Sequence, residues 1–96
     1  MSPKNKIKLK FLRKKLDKID NQLLIVVKKR TEIVKKVLLL KTSKKEIIDK
    51  RIISIVLKKI RNESLKKKID PKITRRIWKN MIWSYIDFEK RNFKKK

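Results

Sequence analysis

Four polar side chains stand where a helical pattern calls for apolar ones, and together they could hold a small dianion. Arg30 interrupts an apolar series, Lys41 lies eleven residues further on, and Arg13 flanks the start of the series. Glu89 extends the line of Trp78, Ile82 and Tyr85 by one turn. On a helix that turns about 100° per residue, eleven residues return Lys41 to nearly the face of Arg30. The chain has no Cys and no His. It therefore lacks a thiol nucleophile, a thiolate or imidazole metal ligand and an imidazole base. Most nucleophilic and metal chemistry is closed to it, and neither a cofactor nor a metal is expected.

Taken singly, each of the four has a plain structural role open to it. Arg30 is also read as a paired structural charge or a device that fixes helix register. Lys41 is one of 26 Lys, at a helix end where cations are favoured. Glu89 is also read as a surface carboxylate and Tyr85 as core. Their spacing says more. Arg13 and Arg30 are 17 residues apart on one helix, about 25 Å between Cα atoms, so they cannot grip one small ligand from the same chain. If two first helices pair antiparallel, Arg13 of one approaches the Arg30 and Lys41 region of the other, and a twofold dimer holds two cationic pockets.

The elements that must position these residues read as three helices. Leu12, Leu16, Ile19, Leu23, Val26, then Arg30, Ile33, Val37 and Leu40, are spaced alternately by four and three. This is the seam of a helix that packs along its length on another helix. Running from about Ile7 to Leu40, it would be roughly 50 Å long. Lys41–Glu46 forms a break with Thr42 and Ser43 as turn formers. Ile48, Ile52, Ile55, Val56 and Ile60 mark a second helix to about Lys68, despite a density of β-branched residues that would also suit a strand. Asp70 as N-cap and Pro71 at the first helical position open a third, to about Phe93. Its inward face holds Ile73, Ile77, Trp78, Met81, Ile82, Tyr85 and Ile86. The expected fold is all-α, with three helices per chain. Residues 1–10 form a basic lead, 11–93 the helical domain and 94–96 a Lys tail.

Ninety-six residues bury a limited core, so assembly is expected. The net charge of +24 attracts polyanions and small dianions alike. Its 26 Lys are spread over every segment, which makes the seven Arg the more informative cations. No apolar run approaches the roughly 18 residues of a membrane span, and charge from Lys8 to Lys18 leaves no room for the apolar stretch of a signal peptide. A cytoplasmic location without membrane attachment is expected.

The stretches "LRKKLDKIDNQLLIVVKKR" (12–30), "VKKVLLLK" (34–41), Asp49 followed by "IVLKKI" (55–60), and "IDPKITRRIWKNMIWSYIDFE" (69–89) carry a resemblance over nearly the whole chain. The chain resembles the all-helical chorismate mutases, small intertwined homodimers of three-helix chains. The resemblance implies an isomerase that rearranges chorismate to prephenate in the shikimate route to aromatic amino acids. It implies that Arg30, with Arg13 of the partner subunit, binds the two carboxylates of the substrate. Lys41 would donate to the ether oxygen, and Asp49 and Tyr85 would lie beside the substrate. Glu89 would face the same oxygen. A carboxylate there repels the developing charge, so Glu89 should act protonated and activity should favour acid. The rearrangement is pericyclic and needs only a held conformation and charge stabilisation.

The sequence departs from the family at the start of the second helix. Many members carry Arg-Glu where Ile52 and Ile53 stand, so the Glu that would bind the substrate hydroxyl is missing; Tyr85 replaces a common Ser. Isochorismate pyruvate lyase, a relative on the same fold, also lacks that Glu and has a Tyr in "WYI", close to "SYI" here. The lyase is therefore the alternative enzyme. A basic helical nucleic-acid-binding protein, with Trp78, Trp83, Tyr85 and Phe88 stacking on bases, is the alternative from another class. Against it, most of those aromatics fall on the inward side.

Overall fold

The structure is a computed structural model that describes residues 1–95. Among them the chain forms three α-helices, α1 (Pro3–Leu40), α2 (Lys50–Lys66) and α3 (Pro71–Asn92), with one 3-10 turn at Lys44–Glu46. There is no strand among the described residues. The β-branched positions of α2 are helical, as their recurrence at threes and fours predicts. Among the described residues, no helix is long and apolar enough to cross a membrane.

The caps explain the boundaries. α1 begins four residues before the expected Ile7, inside the basic lead, because the Ser2 hydroxyl accepts the Asn5 backbone N–H at 3.1 Å and Pro3 supplies a preset first helical position. Asp49 caps α2, its Oδ1 accepting from the backbone N–H groups of Arg51 at 3.0 Å and Ile52 at 3.1 Å. Asp70 does the same for α3, accepting from Lys72 N–H at 2.9 Å, with Pro71 next in the chain as expected.

Helix α2 ends two residues short of the expected Lys68. There the backbone turns left-handed, with Lys68 at φ 57°. Ile69 N–H reaches the Ser64 carbonyl at 2.9 Å and Lys68 N–H the Leu65 carbonyl at 3.2 Å, the paired bonds of a Schellman ending. Glycine usually takes that position, but the sequence contains none, so a lysine bears the left-handed conformation.

The chain divides into two compact units, Met1–Ile33 and the residues from Val34 onward. The first is helix α1 over most of its length. Its seam is half exposed, with Leu12 at 53%, Ile19 at 51% and Leu23 at 56%. In the second unit α2 and α3 pack together, joined by the four residues between Lys66 and Pro71, a connection that returns α3 antiparallel along α2. Its core is small: Leu38, Ile47 and Ile86 are buried, with Ile48, Ile53, Ile82 and Phe93 packed around them. Ser64 and Thr74 tie the hairpin inside, their buried hydroxyls 2.7 Å apart, while Ser64 also donates to the Ile60 carbonyl at 2.6 Å. Ile73 and Ile77, expected on the inward face, are more than half exposed. Both lie in the first half of α3, and packing against α2 leaves that part of its apolar face open.

Candidate active site

Lys41 and Glu89 meet. Lys41 follows the last residue of α1, and its Nζ donates to Glu89 Oε2 on the last turns of α3 at 2.7 Å. The two side chains are only 16% and 9% exposed, so this is a desolvated ion pair. The helix period that set Glu89 in line with Trp78, Ile82 and Tyr85 does place it inside: Glu89 is buried beside buried Ile86, and Tyr85, one turn earlier, is half-buried. An ammonium carries three N–H donors, so Lys41 can hold Glu89 and still offer hydrogen bonds to an oxygen of a ligand. The short charged contact also fixes where the ammonium sits, which a flexible lysine stem does not do alone.

The backbone around Lys41 is held in turn. Lys41 N–H bonds the Leu38 carbonyl at 3.1 Å, closing the end of α1. Thr42 donates its hydroxyl to Glu46 Oε1 at 2.7 Å, and its backbone N–H reaches the same oxygen at 3.4 Å. The Thr-Ser-Lys-Lys-Glu spacing signals such a loop clasp, although Thr42 makes it and Ser43 does not. The clasp leads directly to buried Ile47, which anchors the connection in the core.

Asp49 is the cap of α2 and is exposed; its Oδ1 is committed to the backbone of Arg51 and Ile52. Ile52 is exposed on the first turn of α2, and Ile53 packs against the core. Arg13 and Arg30 both belong to α1, Arg13 exposed and Arg30 half-buried. The site-region contact that sequence reasoning did not foresee is the Lys41–Glu89 bond itself: each residue is expected to face one ligand oxygen, and their opposite charges on converging faces are the signal that they also bind each other.

The family model described as chorismate mutase type II matches residues 12–90. The chain belongs to the type II chorismate mutases. The match covers α1 from Leu12, all of α2 and α3 as far as Lys90, and so includes Arg13, Arg30, Lys41, Asp49, Tyr85 and Glu89. No curated protein and no solved structure matches the chain. For a chorismate mutase of this type, an all-helical chain without Cys or His is chemically sufficient, because the family's reaction makes and breaks its bonds within one bound molecule.

Proposed function

We propose that this chain is a chorismate mutase acting as a homodimer, converting chorismate to prephenate in the biosynthesis of aromatic amino acids. The observation that carries the proposal is the family match over residues 12–90. The desolvated Lys41–Glu89 pair supports it by putting a fixed cation on the α3 face that also carries Tyr85. Arg30 and Arg13 of the partner subunit would each fork onto one substrate carboxylate and hold the molecule in its reactive conformation. As the ether C–O bond breaks and the new C–C bond forms, charge grows on the ether oxygen. Lys41 would donate to that oxygen, which lowers the barrier because the donor is already in place. Glu89, which accepts from Lys41 at 2.7 Å, would hold that ammonium beside the same oxygen. Asp49 would act through the start of α2 and Tyr85 through the wall of the site.

The half-exposed seam of α1 supports the dimer, since Leu12, Leu16, Ile19, Leu23 and Val26 offer a long apolar strip to a second helix. Ile52 and Ile53, at positions the family usually fills with Arg and Glu, favour a second substrate, isochorismate, cleaved to salicylate and pyruvate on the same cationic frame.

The test is incubation of the purified protein with chorismate and, separately, with isochorismate, followed by chromatography of the products. Prephenate from chorismate is the expected result, and salicylate with pyruvate from isochorismate would establish the lyase instead. Consumption of neither substrate above the uncatalysed background overturns both. Arg30→Ala should abolish turnover, while Lys66→Ala, whose side chain is 75% exposed on the outer surface of α2, should leave it near the parent value.

A further inference from the structure

A second cationic feature lies in the hairpin of α2 and α3. Lys50, Lys58 and Arg61 from α2 and Arg75 and Lys79 from α3 line one groove of about 570 Å³ together with Trp83. No carboxylate lines it among the described residues. The ion pairs of Glu63 with Lys66 and Lys67 and of Asp87 with Arg91 lie elsewhere on these two helices. Two of the seven Arg thus face one concavity from opposite helices, and they converge again in the smaller cleft beside Leu57 and Pro71. Five like charges gathered without a counter-charge repel one another, and an anion relieves that cost.

The form of the groove selects among anions. From Lys50 to Arg61 is eleven residues, about 16 Å of helix, and the cations are distributed along it. A compact dianion would engage two of them. A strand of phosphates would present several charges along the same length. The floor is apolar, formed by Ile53, Leu57 and Ile82, and Trp83 stands 51% exposed at the edge. An inorganic polyphosphate has nothing to set against these surfaces, whereas a nucleobase stacks on an indole face. A second copy of this chain is a poor occupant: its α1 carries thirteen Lys and Arg against three Asp and Glu.

We propose that the α2–α3 groove binds single-stranded nucleic acid, its phosphates along Lys50, Lys58, Arg61, Arg75 and Lys79 and a base on Trp83. Its five cations are distinct from Lys41, although its floor shares Ile53 and Ile82 with the side of the hairpin that leads to Glu89. The net charge gives a long-range attraction, and the groove gives that attraction a place.

The full chain is titrated with a fluorescein-labelled oligothymidylate of about 20 nucleotides, followed by anisotropy over a series of salt concentrations. Arg61→Gln/Arg75→Gln removes two phosphate contacts and should lower the salt slope by about 1.4, which at roughly 0.1 M salt is a loss of about 25-fold in affinity. The control Lys8→Gln/Lys18→Gln removes the same charge from α1 and should weaken binding by less than about threefold, through the screened field alone. Trp83→Leu should abolish most of the tryptophan quenching on binding and cost about tenfold. Circular dichroism checks each fold, and Lys58→Gln/Lys79→Gln provides a second groove variant should the Arg pair unfold. Equal weakening by the groove and control pairs overturns the site, as does an unchanged affinity of Trp83→Leu. Groove-dependent binding of tripolyphosphate or of phosphatidylserine vesicles without binding of the oligonucleotide overturns the nucleic-acid assignment.

Discussion

Replacing Glu89 with Gln should move stability and turnover in opposite directions. The substitution keeps the shape of the side chain and its ability to accept from Lys41, but it removes the charge opposite an ammonium that is only 16% exposed. Neutralising one member of a buried ion pair while the other keeps its charge costs up to about 3–5 kcal/mol. The hydrogen bond that Gln can still accept and the partial exposure of Lys41 bring this one down to about 2 kcal/mol. In a chain of this size that lowers the thermal midpoint by about 10 °C. At the reaction centre the same change removes an anion that competes for Lys41 and puts a neutral N–H donor in its place. One added neutral hydrogen bond to the ether oxygen is about 1.4 kcal/mol, or roughly tenfold in kcat at neutral pH. Thermal unfolding at fixed protein concentration, followed by chorismate consumption at neutral pH, reads both effects. A variant as stable as the parent refutes the ion-pair reasoning; a variant whose turnover collapses refutes the role given to Glu89.

Other outcomes rest on local features. Lys68→Gly should stabilise the protein by about 1 kcal/mol in urea unfolding, because glycine takes the left-handed φ of 57° without the penalty a side chain incurs. Ser64→Ala should destabilise by about 1 kcal/mol by removing the buried 2.7 Å bond and leaving the Thr74 hydroxyl only its long 3.4 Å bond to the Pro71 carbonyl, and the double variant Ser64→Ala/Thr74→Val should recover part of the loss in a double-mutant cycle. Glu63 accepts from Lys67 at 2.9 Å, and that bond, with the charges of Lys67 and Lys66, holds its carboxyl below the ordinary value. Its contribution is therefore present above the usual carboxylate range and lost as pH falls through the lowered value. Comparing the acid unfolding limb of Glu63→Gln with the parent should show a small difference that disappears in 1 M salt, at which screening reaches about 3 Å.

The legible parts of the fold are those that a local pattern dictates. Asp70 with Pro71 after it marks the start of α3 to the residue, because a capping carboxylate and a proline preset for helix leave little choice there. The start of α1 is hidden by charge: Lys4, Lys6, Lys8 and Lys10 crowd the first turns and obscure Ser2 and Pro3, which start the helix whatever the polarity of the residues after them. Asp49 stands out by resemblance as a site residue, while its observed bonds are those of a cap; both bonds fall on Oδ1, and the second oxygen of the carboxylate is the one a ligand would meet. Helix period alone places Glu89 inside, yet its partner lies 48 residues away at the end of another helix, and no periodicity within one element can state that. Ile73 and Ile77 show the converse. The period finds the apolar face of α3, but whether a neighbour covers it is a property of the assembled elements. The α2–α3 groove is the most remote from sequence, since Arg61 and Arg75 are ordinary surface cations until the hairpin sets them opposite each other.

The short connection between α2 and α3 also bears on the order in which the protein folds. The Ser64–Thr74 contact spans only ten residues, whereas Lys41 and Glu89 must close a loop of 48. Closing the longer loop costs more chain entropy, by roughly 1.4 kcal/mol on a logarithmic length law, and that cost is offset only when the ammonium and carboxylate are both in place. The hairpin should therefore form early in the refolding reaction and the ion pair late. In kinetic terms, loss of Glu89 would be felt chiefly as faster unfolding, and loss of the Ser64 hydroxyl as slower folding.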